Sequence, residues 1–118
     1  MRLDDRIRLE HMLDAAENVA RFVSGRSRSD LDTDRMLLFA VVRAVEILGE
    51  AASQLSEETR SRAADIPWRA IVGMRNRVVH AYFDIDADIV WKTAVDEVPH
   101  LLPRLRELVE QARKGQAS

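Results

Sequence analysis

Apolar residues recur along this chain with the three-to-four-residue period of an amphipathic helix, almost from end to end. Leu9, Met12, Ala16, Val19 and Val23 share one face and predict a first helix over about residues 4–24, closed by Ser24-Gly25. Residues 26–31 read as a polar loop, after which Asp32 or Thr33 can cap a second helix over about 34–55. That helix is apolar around most of its circumference, through Met36, Leu37, Phe39, Ala40, Val41, Ala44, Val45, Leu48, Ala52 and Leu55. A helix of this kind packs against several neighbours, which makes it central. Its charges, Arg43, Glu46 and Glu50, fall on one narrow stripe that is either solvated or the wall of a polar cleft.

Glu57 to Asp65 is a polar, partly helical connector. Pro67 suits the first position of a third helix, whose apolar stripe is Trp68, Ile71, Val72, Val78 and Val79. Asp84 to Asp88 reads as a turn and cap before a fourth helix carrying Trp91, Val95, Val98, Leu102, Leu105 and Val109. Pro99 should kink or split that helix, because proline lacks the N–H and clashes with the preceding turn. The pattern predicts a single all-α domain over residues 1–118, a bundle of about four main helices with a frayed tail at about 114–118.

Composition narrows the chemistry. The chain has 118 residues and no cysteine, which removes disulfides, thiolate zinc sites and cysteine nucleophiles together. The N-terminal segment Met1 to Arg6 is too charged for a secretory signal, and no apolar run approaches the roughly 20 residues that span a bilayer. A cytoplasmic protein without a membrane partner is the expectation. Net charge is −2, yet residues 60–80 carry Arg60, Arg62, Arg69, Arg75 and Arg77 against Asp65 alone. Such a cluster can bind phosphates inside an acidic protein, or it can be a solvated mixed-charge surface. The Asp84, Asp86, Asp88 run lacks the glycine and terminal glutamate of a calcium loop, and capping explains it better. No paired-histidine metal motif and no phosphate-binding glycine loop is present, so neither a metal nor a cofactor is expected.

The most informative stretch is Arg75-Asn76-Arg77-Val78-Val79-His80-Ala81-Tyr82. Arginine grips a phosphate with a planar fork that keeps its charge, and histidine moves protons near neutral pH. Together they suffice to break a phosphodiester without a metal. On an ideal helix, however, a five-residue step turns the chain by about 140°, so Arg75 and His80 would not share a face. Either the helix ends near His80, or two chains bring two copies of the motif together. His11 and His100 lie outside this motif and read as incidental.

The Arg-x4-His-x-Tyr spacing resembles the signature of HEPN-domain proteins of the HepT type. Three further segments are similar to that family: Glu46-Ile47-Leu48-Gly49-Glu50-Ala51-Ala52, Ile66 to Met74, and Ala81 to Asp86 with Val90-Trp91 and Val98-Pro99. The resemblance covers about residues 4–110, with no departure at the key positions. It implies a HEPN-type bundle and a homodimer whose two copies line one composite cleft, with assembly beyond a dimer left open. It further implies an RNase toxin paired with a minimal nucleotidyltransferase antitoxin, acting on RNA such as tRNA or mRNA without a metal. Arg75 and His80 would be catalytic, with Asn76 orienting substrate or histidine, Arg77 adding positive charge and Glu50 bordering the cleft. Tyr82, the sole tyrosine, matches the residue on which the antitoxin places AMP; core packing is its alternative role. The rival function is a non-catalytic dimeric module that binds a nucleotidyltransferase.

Overall fold

The computed structural model describes residues 2–81 and 84–117, with the side chains of all of these except residues 80, 81, 116 and 117. Helix α1 (Leu3–Val23) buries the expected stripe of Leu9, Met12, Ala16, Val19 and Val23. Its main neighbour is α3 (Arg35–Ser53), and the two run along each other as the centre of the bundle. A one-turn helix, α2 (Asp30–Thr33), precedes α3 where a loop was expected. Asp32 and Thr33 therefore belong to α2, and the cap of α3 is Asp34, whose carboxylate accepts a hydrogen bond from the Leu37 amide at 3.1 Å. Asp34 takes an extended backbone, which separates the two helices and frees its side chain to cap.

Helix α3 is central as its composition predicts, touching α1, α2 and the later helices over residues 68–72, 74–78 and 87–92. Its apolar surface is not all buried, however. Met36 and Phe39 remain 83% and 48% exposed, with the Arg35 guanidinium 4.9 Å above the Phe39 ring.

The connector after α3 holds α4 (Glu57–Arg62), capped by Ser56. A buried carboxylate ties this cap to the start of α1. Asp5 accepts hydrogen bonds from the Ser56 amide at 3.0 Å, the Ser56 hydroxyl at 2.5 Å and the Thr59 hydroxyl at 2.7 Å. Burial alone would raise the Asp5 pKa, but these three donors outweigh it and hold the carboxyl below its ordinary value.

The third helix is two short pieces, α5 (Trp68–Val72) and α6 (Met74–Val78), meeting at Gly73. The Gly73 amide still bonds to the Arg69 carbonyl, and the Arg77 amide to the Gly73 carbonyl, so the pieces follow one another closely. Trp68, Ile71, Met74 and Val78 form the buried stripe. Helix α6 stops at Val78, and β1 (Val79–Ala81) pairs antiparallel with β2 (Asp84–Ile85). Periodicity did not reveal this hairpin, because strands of two or three residues are too short to display an alternating pattern.

Asp86 caps α7 (Ala87–Lys92), as the turn-and-cap reading predicts, with its carboxylate accepting from the Ile89 amide at 3.2 Å. The irregularity expected near Pro99 is a π-helical turn at Thr93–Glu97, immediately before α8 (Val98–Ala117). Pro99 cannot donate to the carbonyl four residues back, and a widened turn accommodates both the missing bond and the ring. Pro103 lies inside α8 as well, and α8 continues through Gly115. Buried side chains from α1, α3, α5, α6, α7 and α8 form one cluster, an all-α bundle with one small hairpin.

Candidate active site

The Arg75 motif is presented by a helix little more than one turn long. Met74 and Val78 anchor α6 in the core, which turns Arg75 and Asn76 outward. The helix ends before His80, so the 140° offset of an unbroken helix does not govern the pair. Of the two geometries left open by the sequence, the helix end is present within one chain. The backbone of His80 lies in β1, held near α6 by the bond from the Asp86 amide to the Val78 carbonyl at 2.9 Å. The His80 side chain and all of Tyr82 lie outside the described residues.

Arg75 is fixed by a residue far away in sequence. Its Nε donates to Glu46 Oε2 on α3 at 2.9 Å, with the arginine side chain 51% exposed and the glutamate only 20%. The charged stripe of α3 is therefore divided. Glu46 is half-buried and bonds Arg75, whereas Glu50 is exposed and lies 3.6 Å from Arg43. Arg77 points elsewhere: one terminal nitrogen donates to Glu97 at 3.0 Å and the other to the Ala70 carbonyl at 3.0 Å. Asn76 is exposed beside Arg75.

Arg77 borders a cleft of about 520 Å³ between the α5–α6 segment and the start of α8, with Met74, Glu97, His100 and Arg104 among its walls. Arg104 makes a bidentate pair with Asp65 at 2.8 and 3.2 Å, which lowers the Asp65 pKa and raises that of Arg104. His100, read as incidental from sequence, thus shares a cleft with one residue of the motif. Glu46 and Glu97 are the two carboxylates that sequence reasoning did not assign to the motif's arginines. For Glu46 the signal was available, as a charge stripe on an otherwise apolar helix. Among the described residues, no three His, Cys, Asp or Glu side chains converge to hold a metal ion.

The family described as Ribonuclease HepT-like matches residues 12–111, a span that includes both α3 and the whole Arg75–His80 motif. The chain belongs to the HepT-like ribonuclease family. A protein of Caldanaerobacter subterraneus named "Putative RNase" is 36% identical over 105 residues, covering 89% of this chain and 94% of that protein. A "Probable ribonuclease HepT" of Thermococcus cleftensis is 34% identical over 100 residues, covering 85% and 91%. A "Putative RNase" of Methanocaldococcus jannaschii is 33% identical over 93 residues, covering 79% and 85%. No solved structure matches the chain. Family membership accounts for the length over which the sequence segments resemble HepT-type proteins, and no helix among the described residues of this HepT-like chain is long and apolar enough to cross a membrane.

Proposed function

We propose that this HepT-like protein is a metal-independent endoribonuclease that uses Arg75 and His80, acting in the cytoplasm as the toxin of a toxin–antitoxin pair. One observation carries the reading: a short helix presents Arg75, clamped by Glu46, and ends just before His80, in a chain of the HepT-like ribonuclease family. The Nε bond to Glu46 holds the guanidinium at one place while leaving its terminal nitrogens for a phosphate.

The chemistry follows from the residue types. His80 takes the proton from a ribose 2′-hydroxyl, and the oxygen so freed attacks the adjacent phosphorus. The bond from phosphorus to the 5′-oxygen breaks, and that oxygen receives a proton from an imidazolium. The products are a 2′,3′-cyclic phosphate and a 5′-hydroxyl. Arg75 stabilises the charge that develops on the phosphoryl oxygens, and Asn76 orients the substrate beside it.

A homodimer completes the reading. One copy supplies the base and the other the acid if two motifs line a shared cleft. Met36 and Phe39 offer exposed apolar surface for this on α3, the helix that also carries Glu46. A cognate nucleotidyltransferase would silence the protein by placing AMP on Tyr82.

The test is purified protein incubated with total RNA and with isolated tRNA in EDTA, beside Arg75→Ala and His80→Ala. Cleavage that persists in EDTA and falls by about 10²–10⁴ in each variant is expected. Cleavage that survives His80→Ala would overturn the mechanism. No cleavage by a folded, dimeric protein would favour the non-catalytic nucleotidyltransferase-binding module instead.

A further inference from the structure

A second cleft lies between α4 and α5, with a volume of about 460 Å³ and walls that include Glu57, Arg60, Ser61, Trp68, Arg69 and Val72. Three features characterise it, of which the first and third set it apart from the cleft beside Arg77. First, Arg69 is exposed and has no hydrogen-bond or ion-pair partner among the described residues. Second, Arg60 is anchored by a bond from one terminal nitrogen to the Ala52 carbonyl at 2.9 Å, while its Nε is buried without a partner. Third, the cations outnumber the one carboxylate, Glu57. In the cleft beside Arg77 both arginines are already held, by Glu97 and by Asp65, and Asp96 adds a further negative charge.

The position of this second cleft relates it to the motif. Arg69 and Arg75 lie six residues apart, on two consecutive short helices that meet at Gly73. On a single helix that step would be about 9 Å of rise and about 120° of rotation, so a strand gripped at Arg75 would reach Arg69 by passing around the segment.

We propose that the α4–α5 cleft is a subsite for a backbone phosphate of single-stranded RNA next to the scissile one, with Arg69 as the reaching cation and Arg60 as the fixed one. This rests on the ribonuclease reading and extends it to a residue outside the Arg75–His80 motif. The Trp68 indole N–H is already bonded to the Ala63 carbonyl at 3.0 Å, so the ring is a wall that sets the depth of the cleft and fixes Arg69 one residue on. A site built on cations and an occupied indole reads the phosphate chain without choosing among bases.

The experiment uses a fluorescent single-stranded oligoribonucleotide bound to the His80→Ala protein, so that the RNA stays intact. Adding Arg69→Ala should weaken binding roughly ten-fold at low salt and reduce the slope of log affinity against log salt by about 0.7, the value for one phosphate contact on a single strand. Arg69→Lys should restore the slope. Arg106→Ala, an equal charge change on α8, should leave it unchanged. In cleavage by the otherwise unaltered enzyme, Arg69→Ala should raise KM for the oligonucleotide with kcat unchanged, and leave a dinucleotide substrate unaffected. An unchanged slope, or the same loss from Arg106→Ala, would overturn the subsite while leaving the ribonuclease intact. Failure of the unaltered protein to bind or cut any RNA would overturn the ribonuclease reading and the subsite with it.

Discussion

Arg75 Nε and Glu46 Oε2 meet at 2.9 Å although 29 positions separate them in the chain. The pair links the central helix to the short helix that presents the motif, so the orientation of the guanidinium is set by packing of α6 on α3. An ion pair this exposed contributes little to stability, about 1 kcal/mol or less. Its value is positional.

Glu46→Gln should therefore separate activity from stability. The amide keeps the shape of the carboxylate but loses its charge, so Arg75 is held less firmly. Single-turnover cleavage is expected to drop by ~10- to 100-fold, as small misplacements of a catalytic group do. The thermal midpoint should move by no more than a few degrees. An unchanged cleavage rate would show that Arg75 finds its place without Glu46.

Gly49 is the close-approach point between α3 and α5. A β-carbon there would lie 3.2 Å from the Ile71 carbonyl oxygen and 3.4 Å from that of Val72. Both obstacles are backbone and cannot swing aside. Alanine gains about 1 kcal/mol in helix propensity and loses about 1–3 kcal/mol to overpacking. Gly49→Ala should lower stability on the order of 1 kcal/mol in urea titrations, and reduce cleavage because α5 and α6 move together. A raised urea midpoint would contradict this contact.

Asp5 predicts an acid limit to stability. Its native pKa lies below the ordinary carboxylate value of 3.8, because the Ser56 and Thr59 donors overcome the opposing effect of burial. A depressed native value means the unfolded chain binds the proton more readily. The stabilisation is thus complete above about pH 3.8 and is lost as pH falls through the native value. Asp5→Ala leaves buried donors without an acceptor and should cost on the order of 2 kcal/mol at neutral pH. Thermal melts between neutral and strongly acid pH should show a shallower acid decline in that variant. Parallel pH profiles would sink the assignment.

Control through Tyr82 is tested by co-expression with a cognate nucleotidyltransferase. AMP on the phenol would add bulk and negative charge two residues from His80, where Arg75 can pair with the phosphate. Mass spectrometry should find the modification on Tyr82 in the silenced protein. Tyr82→Phe should keep most cleavage and resist silencing. Modification confined to a serine or threonine would refute this route and favour simple occlusion by the partner.

Much of the fold was legible from side-chain order alone. The buried stripe of α1, the central position of α3 and the cap at Asp86 all follow from local rules of spacing and capping. Some boundaries were not legible. Asp32, Thr33 and Asp34 are all competent caps, and only the extended backbone at Asp34 selects one of them. Met36 and Phe39 fit an apolar helix surface, yet they remain exposed, at 83% and 48%.

By itself the sequence determined the helical class, the HepT-like family and the Arg75-to-His80 motif, because periodicity and short motifs are properties of neighbouring residues. Tertiary structure alone decided that Glu46 and not Glu50 meets Arg75, that Glu97 takes Arg77, and that the helix stops at Val78. Those outcomes depend on how separate helices pack and on a hairpin drawn against the end of α6. Spacing along the chain fixes which face a side chain occupies on its own helix, but not which distant helix arrives to meet it.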